Sequence, residues 1–135
     1  MTPKPLKTRS VARERHATYR KKAREFLRAA ESSLVTGDWD AVGLNAVHSA
    51  ISAADALLVY YAGVRSTGES HQDVAGLIRR HVKDAQLGSK LQTLSKVFGY
   101  KNLAAYEDRE VTEAEARDAA KLAKRFLEWT LSRLV

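Results

Sequence analysis

Lys101, Asn102 and Tyr106 fall inside one short run, "KNLAAYED" at 101–108. Together they offer a cation for phosphate, an amide that donates and accepts, and a hydroxyl on a ring able to stack on a base. None is a good general base at neutral pH, so the run reads as a phosphate-binding or recognition surface more readily than as a nuclease centre. On a continuous helix Asn102 and Tyr106 are i, i+4 neighbours, and Lys101 sits about 140° from Tyr106 around the axis. A polar seam between helices is the alternative.

Two further constellations carry histidine. Arg65 is followed six residues later by His71, a form met in metal-independent ribonucleases, where arginine holds the scissile phosphate and histidine moves the proton. The pair flanks "GVRSTGES", which reads as a loop, with Ser70 placed to cap a following helix from which His71 starts. His48 has Asn45 three residues before it and Ser52 four after, on the same helical face. Asp55, two turns away, lies about 10 Å further along the axis. A His48–Asp55 pair therefore needs a second subunit, and a histidine satisfied by a neighbouring helix is the other reading.

Other chemistries find no support. His16, His48, His71 and His81 form no i, i+3 or i, i+4 pair, and there is no cysteine, so no metal site, disulfide framework or thiolate nucleophile is expected. "GVRSTGESH" lacks the glycine order and lysine-serine ending of a phosphate loop, and no cofactor is expected.

These residues need helices to hold them. The chain has 135 residues, which fits one domain, and its two prolines, Pro3 and Pro5, leave everything after them free to be helical. Residues 1–9 are expected to be a flexible tail and residues 10–135 a single bundle domain. A first helix over about 10–35 carries the stripe Tyr19, Ala23, Phe26, Ala30, Leu34, with Arg13, Arg20 and Arg24 on a basic stripe beside it. After "TGDWD", where Asp38 is placed to cap, a second helix runs to about 62 with Asp55 as its sole formal charge. A helix so poor in charge is expected to be covered on most sides, by other helices or by a second subunit. Its apolar run "AADALLVYYAGV" reads as too short to span a bilayer. A helix is expected over about 89–108, and Thr112 with Glu115 forms a capping box opening the last one, striped by Ala116, Ala120, Ala123, Leu127, Leu131 and Leu134. No strand pattern competes. The fold class is all-α, an up-and-down antiparallel bundle of four to five helices.

Charge is uneven. The net charge is +7, yet the first 30 residues, with ten Lys or Arg against Glu14 and Glu25, carry +8. One segment thus holds the basic character, suited to a polyanion or simply to solvent. Absence of cysteine and of an apolar leader fits a cytoplasmic protein without a membrane partner.

The order "LNAVHSAISAADALL", "SHQDVAGLI", "KNLAAYED", "VTEAEARDAAKLAKRFLEWTLSRL" resembles the HEPN (higher eukaryotes and prokaryotes nucleotide-binding) family, most closely its small prokaryotic members, over roughly 15–134. The resemblance implies a helical bundle that dimerises. Its toxins cleave RNA at the dimer cleft through an Arg, four to six residues, His motif. In many small members the helix equivalent to "KNLAAYED" carries an arginine and then Asp-Tyr, which aligns with Lys101 and Tyr106; here lysine replaces arginine and no histidine follows. Of the family's Asn-Arg-x-Tyr-Tyr only Asn45 remains, with His48 placed to project into the same cleft. The expectation is a homodimer with a degenerate ribonuclease motif, binding RNA or a nucleotide-bearing partner within a toxin–antitoxin or defence-type module. The resemblance also implies a minimal nucleotidyltransferase partner, with Tyr106 as AMP acceptor. An active metal-independent ribonuclease and a pure protein-interaction subunit are the alternatives.

Overall fold

The computed structural model describes residues 6–68 and 70–134. In chain order it has β1 (Thr8–Ser10), a 3-10 turn (Arg13–Arg15), α1 (His16–Thr36), α2 (Trp39–Ala62), β2 (Val64–Ser66), α3 (His71–His81), α4 (Leu87–Phe98), α5 (Lys101–Ala105) and α6 (Glu113–Arg133). It is an all-α bundle with one two-stranded ribbon at its edge.

Helix α2 is the axis of the core. Ala46, Val47, Ala50, Ala53, Ala54, Leu57 and Leu58 are buried along it, and α1 and α6 pack against it on two sides. The cover over this charge-poor helix is the chain's own. At 24 residues, with a mean hydropathy of 1.4 in its most apolar window, α2 is long enough to cross a bilayer, contrary to the expectation from length. Its apolar faces are used internally, since 78% of that window is buried. Both long helices between the two strands of the ribbon end on a glycine in the left-handed region, Gly37 (φ 77°) and Gly63 (φ 62°), where a side chain would strain the backbone.

Two of the expected caps form. Ser70 Oγ accepts from the Asp73 amide at 3.2 Å, and Thr112 and Glu115 make the reciprocal capping box of α6. Asp38 does not cap α2 with its side chain, because its carboxylate accepts from the Thr36 hydroxyl at 2.7 Å. Arg109 grips Glu115 with both terminal nitrogens at 2.9 Å. That grip first, and the Thr112 backbone amide next, hold the Glu115 carboxyl down at about 2. A depressed carboxyl contributes stability that is fully present above its ordinary 4.5 and fades as pH falls toward 2. Glu115→Gln should therefore flatten the acid limb of the stability curve. Thr112→Ala should cost about 1 kcal/mol at neutral pH; urea unfolding at pH 7 and pH 3 checks both.

Three further expectations change. The helix foreseen over 89–108 breaks after Phe98, where Tyr100 bonds Val97 in a 3-10 turn and sends its hydroxyl to Asp118 Oδ2 at 2.7 Å. Burial and this carboxylate push the Tyr100 hydroxyl up to about 12. The tail foreseen over 1–9 is ordered in its described part: Thr8, Arg9 and Ser10 pair antiparallel with Ser66, Arg65 and Val64. Backbone bonds from Thr67 to Lys7 and from Val11 to Gly63 extend the ladder. Residues 1–5 lie outside the described residues. Finally, the first helix starts at His16 rather than near residue 10, because residues 8–15 form the strand and the 3-10 turn.

Candidate functional site

The site grows from Asp55. This carboxylate is 5% exposed on α2, and a carboxylate taken out of water requires a cation. Arg65 supplies it, Nε donating to Asp55 Oδ2 at 3.0 Å. The ribbon places Arg65: β2 leaves the Gly63 turn at the end of α2 and folds back, with β1 holding it in register. Burial raises the Asp55 pKa, opposed first by Arg65 and then by Arg9 and Lys22. Four charged groups thus feel one another here, three of them cations. Arg9 and Arg65 sit directly opposite in the ladder, a like-charged pair that is unfavourable unless an anion lies nearby.

Beside the pair opens a cleft of about 370 Å³. Arg65 and Lys101 bring positive charge into it, Ser66 brings a hydroxyl, and Ile51, Val74 and Phe98 form apolar walls. The Arg65 side chain is 39% exposed, so its outer edge faces the cleft while its Nε serves Asp55. Lys101 reaches the cleft from α5. That helix sits close on α2 because Gly43 has no side chain; a Cβ there would come 3.2 Å from the Ala104 Cβ. Leu103 anchors α5 in a small second core with Val42 and Val111. The arrangement can hold an anion and stack a flat ring against Phe98.

The other candidates are dispersed. Tyr106 is 78% exposed at the end of α5 and lines no part of the cleft. Asn102 is exposed, its carbonyl accepting from the amides of Tyr106 and Glu107. Asn45 donates its amide to the Ala41 carbonyl of its own helix at 2.9 Å. His48 is exposed, its ring 5.3 Å from Phe26, and it does not project into the cleft. His71 stacks on Phe98 at 5.4 Å and meets the Ser95 hydroxyl at 3.4 Å. It lines the neighbouring depression instead, so Arg65 and His71 stand on two sides of Phe98. Arg13 donates to the Tyr60 carbonyl at 3.0 Å with its guanidinium 4.1 Å from that ring's centre. It pins the 3-10 turn to α2 and does not join a helical stripe with Arg20, which is half-buried, and Arg24, which is exposed. Among the described residues no three His, Asp or Glu gather as metal ligands.

The Asp55–Arg65 pair, Phe98 and Ser66 were not foreseen as parts of one site. One signal was present: beyond Asp40 in its first turn, α2 carries a single charge, Asp55, which demands a counter-charge once buried, and Arg65 is the first cation after it.

Comparison with known proteins agrees with this architecture. A search of curated proteins finds no match. Among solved structures, TT1696 from Thermus thermophilus superposes with a TM-score of 0.72 at 20% identity, covering 89% of this chain and 98% of that one. At that identity the likeness speaks for the fold. A family model described as HEPN domain matches residues 17–134, from the first turn of α1 to the end of α6, and the chain is therefore a member of the HEPN domain family.

Proposed function

We propose that this chain binds single-stranded RNA through the cleft beside α2, holding backbone phosphates on Arg65 and Lys101 and a base against Phe98, without cutting the strand. The observation that carries the reading is the convergence of Arg65 and Lys101, 36 positions apart in sequence, on one concavity with an aromatic wall. Cations in a concave surface focus field lines on an anion, and an aromatic face accepts any base. No histidine lines that cleft among the described residues, which favours binding over cleavage. The reading places the chain in the cytoplasm as a homodimer in a toxin–antitoxin or defence-type module. Tyr106, with its ring open to solvent, is in this reading the residue offered to a nucleotidyltransferase partner.

The test is retention of a labelled mixed-sequence RNA in EDTA over a salt series. Binding should fall steeply with salt, and Lys101→Ala should weaken it about tenfold and reduce the log–log salt slope by about 0.7, the value for one phosphate contact on a single strand. Salt-insensitive retention, or none, sinks the reading. Cleavage that survives EDTA and disappears in His71→Ala would assign a metal-independent ribonuclease instead.

A further inference from the structure

A second concavity, about 330 Å³, lies where β1, the 3-10 turn and the start of α1 meet. Arg9, Arg15 and Lys22 line it, with the Ser10 and Thr18 hydroxyls and the ring of Tyr19. No acid lines it, and none of the three cations is in an ion pair among the described residues. The first turn of α1 carries neither an acid nor a side-chain cap, so the positive end of the helix dipole adds to the same field.

The two concavities adjoin, with no residue lining both. Tyr19 lines the second, and its ring lies 5.6 Å from the Arg65 guanidinium of the first and 5.9 Å from Lys22 Nζ. Arg9 lines the second and sits opposite Arg65 in the ladder. The acid of this region, Asp55, is buried and committed to Arg65. Three cations and two hydroxyl donors around one hollow exceed what a phosphodiester, with one charge and two free oxygens, can satisfy. They match a phosphomonoester, with up to two charges and three terminal oxygens.

We propose that this hollow is a second subsite that takes the terminal phosphate of the RNA strand whose backbone occupies the first cleft. The proposal deepens the RNA-binding reading and rests on it. The shared chemistry, a phosphomonoester, is also that of free phosphate, and the experiment separates the two.

The experiment measures affinity for one short single-stranded RNA made with a 5′-phosphate, with a 3′-phosphate and with hydroxyl ends. At least one phosphorylated end should bind about tenfold more tightly than the hydroxyl-ended strand. In Lys22→Gln and in Arg15→Gln, both at exposed positions, that ratio should fall to about one, whereas Lys101→Ala should weaken every strand and keep the ratio. Equal affinity for all three strands, or a ratio that both variants leave intact, overturns the proposal. If no strand binds at all, the reading of the first cleft fails, and amide-shift titration with inorganic phosphate then decides the hollow itself. A saturable shift abolished by Lys22→Gln would keep it as a free-phosphate site and overturn its assignment to a strand end; no saturable shift would overturn the subsite altogether.

Discussion

Replacing Arg65 with alanine should cost about 2 kcal/mol of stability at neutral pH and almost none near pH 4. The magnitude sits below the roughly 3–5 kcal/mol of a fully buried pair broken on one side, because water already reaches part of the guanidinium. The pH dependence follows from Asp55. Burial is the largest influence on its carboxyl and raises it above 3.8, while Arg65 is the leading influence in the other direction. A carboxyl raised on folding contributes stability that is fully present below 3.8 and is lost as pH rises through the folded value. Without Arg65 that folded value climbs further, so the window widens and the deficit against the parent protein grows from pH 4 to pH 7. Urea unfolding at pH 4, 5.5 and 7 measures it. A loss of equal size at all three would mean that Arg65 acts by packing rather than by charge. Adding Asp55→Asn to Arg65→Ala should restore most of the neutral-pH stability, because an uncharged amide at this position no longer needs a cation.

The sequence makes some of this geometry legible and hides the rest for identifiable reasons. The capping box at Thr112 and Glu115 and the stripe from Ala116 to Leu127 are local signals, and both hold in the folded chain. So does the core role of α2, since a helix with one formal charge beyond its first turn is covered by its neighbours. The ribbon was hidden because Thr8–Ser10 and Val64–Ser66 are three residues each, too short for alternation to register. With it went the partnership of Arg65 and Asp55 and the place of Arg9. The grouping of Lys101 with Tyr106 presumed an unbroken helix. The 3-10 turn at Tyr100 starts a new one, and its end at Ala105 leaves Tyr106 facing solvent. Residue type marked His48 and His71 as able to move protons, but whether a histidine faces a cleft or an aromatic ring depends on neighbours from other helices.

Phe126→Ala should be among the most destabilising single changes in the chain, about 3–5 kcal/mol, with a fall in melting temperature of about 10 °C. Phe126 is fully buried on α6, its ring 5.8 Å from that of Trp129, within the same core cluster as Leu57 and Leu58 of α2. Truncation removes the transfer energy of the ring and leaves a cavity that the two helices cannot close without shifting. A cost below about 1 kcal/mol would mean that α6 does not seat this face against α2. The same variant also separates scaffold from site. At low temperature, where it is still folded, its cleft should bind RNA as the parent does, because Arg65 and Lys101 reach the cleft from β2 and α5. Lys101→Ala should do the reverse, keeping the melting temperature and losing affinity, since an exposed lysine outside any ion pair among the described residues adds little to the fold. If Phe126→Ala loses affinity in proportion to its stability even when fully folded, the cleft depends on the α2–α6 seam and the anion site is not confined to the ribbon side of α2.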